Sequence, residues 1–245
     1  MRSLEFDAVV IGTGCAGYNA ADWLYDLGVK NVAIITEGKN AGTSRNTGSD
    51  KQTYYKLSLA GDAPDSVMNM ARTLFDGGAM DGDVALAEAA NSARCFMKLA
   101  SLGVDFPTNE YGEFVGYKTD HDPRSRATSI GPHTSRRMTE VLEASVERKG
   151  IAILDGLQAI KILTDEGNAC GVLAINTKST DEICLVGIKT PYVILATGGP
   201  AAVYFDSVSA SMISLSQKLG KSVRLIHRFL IAFGIDCNEA KTDGL

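Results

Sequence analysis

A short glycine-rich turn between a buried strand and a helix constrains the fold of this chain more than any other feature. Residues 5–11 (EFDAVVI) are mostly apolar and partly β-branched, as in a strand buried on both faces of a parallel sheet. The following residues place Gly12, Gly14 and Gly17 in GxGxxG spacing, and a helical pattern with one apolar face begins there. Three glycines in this spacing are weak evidence by themselves, but a strand before them and a helix after them are typical of a nucleotide-binding turn.

The acidic residue Glu37 adds to this context. It follows a second short apolar run, residues 31–36, and lies 20 positions after Gly17. Residues 5–37 therefore predict a β-α-β unit with a right-handed parallel crossover, and Glu37 is placed to accept hydrogen bonds from ribose hydroxyls. Gly12 would permit the tight turn and Gly14 the approach of a pyrophosphate, which the N–H groups at the helix start would bind. A structural strand-turn-helix without a ligand is the alternative.

Composition excludes several classes of protein. The 245 residues carry 24 Lys+Arg against 29 Asp+Glu, a net charge of −5, which argues against nucleic-acid binding. The start of the chain has no long apolar run of the secretory type, and the uncharged stretch 190–205 is too short to span a membrane. Five cysteines without a CxxC pair favour a reduced cytoplasmic protein with no metal site.

The middle of the chain predicts a helical insertion at about residues 50–150. Helical periodicity covers residues 63–103 and 134–149, and a stretch with little periodicity, residues 104–133, lies between them. An NAD-binding fold would instead continue with alternating strands and helices.

After the insertion, three short β-like runs predict a three-stranded β-meander. They are residues 158–164, 171–176 and 183–188, and the loops between them have hairpin composition. A second buried strand, residues 192–196, then leads into Thr197, Gly198 and Gly199. The fold class predicted is α/β: a Rossmann-like parallel sheet with helices, a β-meander and a helical insertion.

This order of elements resembles the FAD-binding domain of the fumarate reductase/succinate dehydrogenase flavoprotein family, which also includes L-aspartate oxidase. The resemblance rests on the segments DAVVIGTGCAG, AGTSRNTGSDKQ and YVILATGGPAAVY and on Glu37. It implies FAD as the cofactor and hydride transfer through flavin N5 to or from a small carboxylate-bearing substrate. The cofactor-binding residues that it implies are Gly12, Gly14, Cys15, Ala16, Gly17, Glu37, Ser44, Arg45, Asn46, Thr47, Gly48, Ala159, Ala196, Thr197, Gly198 and Gly199.

One position departs from part of that family. Members with covalently attached flavin carry a histidine where this chain has Asn46. Because an amide cannot form the histidyl-flavin bond, the expected FAD is non-covalent.

The catalytic half of the family pattern is not found in this chain. The proton-donating arginine and the His-Pro-Thr motif of the capping part have no match, so a partner chain that supplies this half is one interpretation. A charged loop at residues 120–126 offers His121, Arg124 and Arg126 as candidates to bind a substrate carboxylate. The alternative is a charged loop whose ions pair with each other.

These observations predict an FAD-binding domain over residues 1–206, with its meander and last strand at 151–200, and a tail of different composition over 207–245. The tail is interpreted as a truncated or frame-shifted end, with the capping domain absent, or as a divergent helix. The function predicted is an FAD-dependent oxidoreductase or its N-terminal FAD-binding portion. The alternatives are a non-catalytic flavin-binding remnant or subunit, and an NAD-dependent dehydrogenase supported only by the first glycine motif and Glu37.

Overall fold

The computed structural model describes residues 2–48, 52–61, 64–119, 122–179 and 184–198. The predicted tail, residues 207–245, lies outside the described residues. Within the described residues, the strands are β1 (Arg2–Glu5), β2 (Ala8–Ile11), β3 (Val32–Thr36), β4 (Tyr54–Tyr55), β5 (Ala127–Thr128), β6 (Ala152–Asp155), β7 (Leu157–Asp165), β8 (Asn168–Asn176), β9 (Leu185–Lys189) and β10 (Tyr192–Leu195). The helices are α1 (Cys15–Asp26), α2 (Thr43–Asn46), α3 (Val67–Asp76), α4 (Gly82–Ser101) and α5 (Thr134–Arg148).

A four-stranded parallel sheet forms the centre of the fold, in the order β10-β2-β3-β6. The apolar runs predicted as buried strands fill its middle, since every residue of β2 and β3 is buried. Helix α1 connects β2 to β3, as the β-α-β pattern predicts. The edge strand β6 has no counterpart in the sequence prediction: its four residues are all half-buried, so its periodicity is weak.

The predicted single strand over residues 5–11 is divided between two sheets. Phe6 donates its backbone N–H to the carbonyl of Lys189 at 3.0 Å, and Asp7 donates to the carbonyl of Asn31 at 2.9 Å. The chain therefore changes its pairing partner at these residues. The part before them, β1, pairs in parallel with β9, and the part after them, β2, belongs to the central sheet.

The meander has the three predicted strands and gains a fourth from the N-terminus. Strands β7, β8 and β9 pair antiparallel, and the sheet order is β1-β9-β8-β7. Its buried face packs on the central sheet, where Val9 and Ile35 meet Val172 and Ile188. This contact places the start of β7 beside the carboxyl end of β3.

The helical insertion covers the other face of the central sheet. Helix α3 begins after Ser66, whose hydroxyl accepts a hydrogen bond from Asn69 N–H, and α4 begins after Asp81, which caps it in the same way. The ring of Phe96 in α4 lies 4.5 Å from that of Phe106, within the core between α1, α4 and α5. No helix in the described part of the chain is both long and apolar enough to cross a membrane.

Candidate functional site

A cleft opens at the carboxyl ends of three neighbouring parallel strands. Strands β10, β2 and β3 run in the same direction, so their following loops meet at one edge of the sheet, where open α/β sheets bind ligands. The cavity there has a volume of about 200 Å³. The first glycine turn, the end of β3, residues 41–44, the start of β7 and residues 196–198 line it.

The two glycine motifs lie directly against each other in this cleft. A Cβ atom on Gly12 would come within 2.2 Å of the carbonyl oxygen of Ala196, and Gly12 has a φ of +116°. A Cβ atom on Gly17 would come within 2.0 Å of the carbonyl oxygen of Gly12. Both distances are far below van der Waals contact, so the packing of turn, helix and β10 requires glycine at both positions.

Gly14 differs from these two glycines. It has ordinary extended backbone angles (φ −78°, ψ 179°), and the nearest atom to a Cβ atom on it would be the Ser44 hydroxyl oxygen at 3.2 Å. A small side chain at Gly14 would therefore require only a small shift of the Ser44 side chain. The Ser44 hydroxyl also accepts a hydrogen bond from Cys15 N–H at 3.3 Å, which ties residues 43–46 to the start of α1.

Glu37 lies exposed at the end of β3, and its carboxylate accepts a hydrogen bond from the Gln158 side-chain amide at 3.2 Å. The hydroxyls of Thr13 and Thr36 are 3.1 Å apart and join the glycine turn to the same strand end. Gln158 and Thr36 are lining residues that the sequence prediction missed. The partner of Gln158 is 121 residues away in the chain, so the hydrogen bond could not be predicted from local sequence. The one available signal that Gln158 lies in the cleft was its position next to Ala159.

The segment after β3 is held against α5 by charge. Glu143 of α5 accepts hydrogen bonds from Arg45, from Tyr18 at 3.3 Å and from Lys39 at 2.8 Å. Burial works against the charged form of Glu143, but the hydrogen bonds from Lys39 and Arg45 outweigh it and lower its pKa. The guanidinium of Arg45 is therefore turned toward α5.

The structure brings most of the predicted cofactor residues to one place, but not all of them. Gly12, Gly14, Ala16, Glu37, Ser44, Ala159, Ala196, Thr197 and Gly198 line the cleft. Gly17 packs directly behind it. Cys15 points to α5, where its thiol lies 2.9 Å from the hydroxyl of Thr139. Gly199 lies outside the described residues.

The residues from Arg45 to Gly48 pass beside the cleft without lining the described cavity. Asn46 turns its amide back onto its own loop, where it donates to the carbonyl of Asn40 at 2.6 Å. The hydroxyl of Thr47 donates to the carbonyl of Thr43 at 2.8 Å. A Cβ atom on Gly48 would lie 3.1 Å from the carbonyl oxygen of Pro132, so this glycine allows the loop to approach the start of α5.

The predicted substrate loop has a different arrangement from the one expected. Arg126 is fully buried, and two of its nitrogens donate to the carboxylate of Asp65 at 2.7 and 2.8 Å. It also donates to Tyr55, Thr73 and Asp122. These internal partners, with Asp65 first, raise the pKa of Arg126, and all three of its guanidinium nitrogens donate within the protein.

This arrangement argues against Arg126 as a carboxylate clamp, because its charge is paired with Asp65 and Asp122 inside the protein. Arg124 is half-buried, and its side chain has no ion pair within the described part of the chain. His121 lies outside the described residues. The sequence did not indicate Asp65 as a partner because it is 61 residues from Arg126.

Comparison with known proteins places this cleft in context. L-aspartate oxidase of Streptomyces coelicolor is 25% identical over 214 residues, which cover 86% of this chain and 36% of that protein. L-aspartate oxidase of Xylella fastidiosa is 26% identical over 219 residues, 88% of this chain and 40% of that protein. The chain thus spans well under half the length of the curated relatives that it matches.

Solved structures share the fold. Escherichia coli quinol fumarate reductase FrdA superposes with a TM-score of 0.70 at 20% identity, over 83% of this chain and 34% of that chain. Sdh1 of Mycobacterium smegmatis superposes with a TM-score of 0.71 at 19% identity, over 82% and 35%. The family model described as FAD binding domain matches residues 7–226, beyond the predicted domain boundary at residue 206. This match covers most of the sequence and contains both glycine turns, and the chain therefore belongs to the FAD-binding-domain family of flavoproteins.

Proposed function

We propose that this chain binds FAD non-covalently in the cleft and forms the coenzyme-binding part of an oxidoreductase for a small carboxylate-bearing substrate. The meeting of the two glycine turns supports this most directly. The 2.2 Å that would separate a Gly12 Cβ atom from the Ala196 oxygen leaves both turns with bare backbone facing one cavity. A bare backbone edge is suited to a long anionic coenzyme, since its N–H groups can approach the phosphates closely.

Different residues of the cleft would contact different parts of the coenzyme. The N–H groups in the first turn of α1 lack intrahelical partners and would hold the pyrophosphate, with Gly14 leaving room for it. Glu37 would accept hydrogen bonds from the adenosine ribose, and its charge disfavours a phosphate there. Ala159, at the start of the meander, would offer backbone contact to adenine, and residues 196–199 would pass along the ribityl chain.

The segment from Ser44 to Gly48 would support the flavin end. Its attachment to α5 through Arg45 and Glu143 fixes it before any ligand arrives, which reduces the entropy lost on binding. Asn46 provides no group that bonds covalently to a flavin. The flavin should therefore leave the protein when the protein unfolds.

FAD supplies the N5 position that takes up or gives a hydride. In this chain, Arg124 is the remaining described candidate from the predicted loop for holding a substrate carboxylate, since Arg126 is bound to Asp65. In the relatives, more than half of the length lies outside the part that matches this chain. The remaining machinery of the whole enzyme would come from an equivalent of that unmatched part or from a partner chain. This agrees with the 36% of the Streptomyces relative that the chain covers.

An absorbance spectrum of the purified chain tests the proposal. FAD added in excess and then removed by gel filtration should leave visible flavin bands with the protein, and denaturation should release all of the flavin to the supernatant. The chain alone should show little or no dye-coupled reduction of fumarate. A colourless protein that is stabilised by NAD but not by FAD would contradict the proposed coenzyme.

A further inference from the structure

A second and larger cavity lies in the helical insertion. It has a volume of about 430 Å³, within the range of small-molecule sites, and it opens between α1, α4, α5 and the segment around β4. Ala16, in the first turn of α1, lines both this cavity and the flavin cleft, so the two adjoin there. The proposed binding of FAD assigns no role to the larger cavity.

The wall of this cavity combines apolar side chains with a few polar groups. Its apolar lining includes Ala87 and Leu99 of α4 and Met138 and Leu142 of α5. A mainly apolar surface with a small number of polar groups is the usual composition of a site that binds an organic molecule. In a protein core that binds no ligand, side chains would normally fill a space of this size.

Three polar side chains in the wall have no hydrogen-bond partner among the residues that the structure describes. Asn19 of α1, Tyr54 of β4 and Glu88 of α4 line the cavity, and none of their side chains makes a hydrogen bond or ion pair within the described part of the chain. All three residues are half-buried, so solvent in the open cavity can satisfy their polar groups, and a ligand that replaced this solvent would have to satisfy them instead. They lie on three different elements of the wall, α1, β4 and α4.

The charge of the wall selects the kind of ligand. Glu88 carries the only carboxyl group among the lining residues, and no lysine, arginine or histidine lines the cavity within the described residues. Burial raises the pKa values of the Cys95 and Cys15 thiols and of the Tyr54 hydroxyl, so these groups are neutral near pH 7. Burial raises the pKa of the Glu88 carboxyl group as well, and an ammonium group beside it would favour its charged form. An anion entering this cavity would meet no cation among the described lining residues.

The aromatic side of the cavity is held in place by the core. The ring of Tyr54 packs on Phe96 at 5.7 Å and on Phe106 at 5.9 Å between ring centroids. This packing fixes the ring without using its hydroxyl. A fixed aromatic wall near a carboxylate is a favourable surface for a cationic group.

We propose that this cavity binds a small organic amine, with its ammonium group at Glu88 and its apolar body against Ala87, Met138 and Leu142. The Glu88 carboxylate accepts a charge-assisted hydrogen bond from the ammonium group. The side-chain oxygens of Asn19 and Tyr54 accept hydrogen bonds from its remaining N–H groups or interact with other polar atoms of the ligand. The site is separate from the flavin cleft, and its ligand differs in charge from a carboxylate substrate.

Calorimetric titration of the full chain with two matched probes tests this assignment. 2-Phenylethylamine should bind, and 3-phenylpropionate, with a body of similar size and the opposite charge, should bind at least tenfold more weakly. Glu88→Gln should weaken amine binding by tenfold or more. Asp83→Asn, an exposed substitution in the first turn of the same helix, is the matched control and should leave it unchanged.

A second variant guards against misfolding of the first. Ala87→Leu would fill part of the cavity, and it should remove amine binding while the free energy of unfolding stays equal or rises. Equal binding of both probes, or amine binding that survives Glu88→Gln and Ala87→Leu in folded protein, would overturn the proposal. Loss of amine binding when FAD is bound would overturn the claim that the two sites are separate. If FAD does not bind, the amine titration still tests the proposed amine site, because that titration does not require FAD.

Discussion

Substituting alanine for Gly14 and for Gly17 should separate the contribution of the glycine turn to folding from its contribution to coenzyme binding. Both residues belong to the same motif, but the structure gives them different surroundings. A Cβ atom at Gly17 would lie 2.0 Å from the backbone oxygen of Gly12, whereas at Gly14 it would lie 3.2 Å from a serine hydroxyl that can rotate.

The expected stability of Gly17→Ala follows from the overlap. Overpacking of a filled core costs about 1–3 kcal/mol, and an overlap with backbone belongs at the upper end of that range. Alanine is more favourable than glycine by up to about 1 kcal/mol within a helix, which offsets part of this cost although Gly17 lies in the first turn of α1. The free energy of unfolding without FAD should therefore fall by about 2 kcal/mol.

Gly14→Ala should behave in the opposite way. Its φ of −78° suits alanine, and such a substitution gains about 0.4–1 kcal/mol from the entropy of the unfolded chain. The shift required of Ser44 offsets part of this gain, so stability without FAD should stay within about 1 kcal/mol of the wild type. The added methyl group would occupy the place of the pyrophosphate, and FAD binding should weaken strongly.

Urea unfolding with and without FAD measures both effects. Ligand at a hundred times its dissociation constant stabilises the wild type by about 2.7 kcal/mol, and Gly14→Ala should lose most of that increment. The larger Gly14→Val should abolish flavin retention. A full FAD-dependent increment in Gly14→Ala would refute the assignment of the pyrophosphate, and an unfolding curve of Gly17→Ala identical to the wild type would refute the close contact.

Other expectations follow from particular residues. Asp65→Asn should lower the free energy of unfolding by about 3–5 kcal/mol in urea, because it leaves the buried Arg126 without its main partner, whereas the exposed Glu110→Gln should change little. Burial opposes the charge of Asp65, but the hydrogen bonds from Arg126 lower its pKa from 3.8 to about 2. This pair therefore stabilises the protein fully above pH 3.8 and loses its effect as the pH falls toward 2. The unfolding temperatures of the wild type and Asp65→Asn should converge near that pH. Glu37→Gln should weaken FAD binding by about tenfold or more in a fluorescence titration, since hydrogen bonds to a charged acceptor contribute about 1.5–3 kcal/mol, and an unchanged affinity would remove Glu37 from the ribose site. Acid precipitation of the FAD-loaded chain should leave no flavin absorbance in the pellet, and Asn46→Ala should give the same result.

The sequence by itself determined the parts of this protein whose signals are local. The β-α-β unit, the acidic residue at the end of β3 and the second glycine turn each depend on neighbours within a few residues, where strand periodicity and glycine spacing are directly visible. Parallel pairing of β2, β3 and β10 then brings the two turns together, as the resemblance to FAD-binding domains predicted.

Only the tertiary structure decided the features that depend on partners distant in the chain. The strand over residues 5–11 divides because Lys189 and Asn31 offer hydrogen-bond partners in different sheets. Arg126 is buried because Asp65, 61 residues away, neutralises it, so a side chain that sequence patterns place at the surface lies in the interior. The larger cavity exists because α1, α4, α5 and β4 leave a space between them, and a gap between packed elements has no signal in the residue order of any one of them.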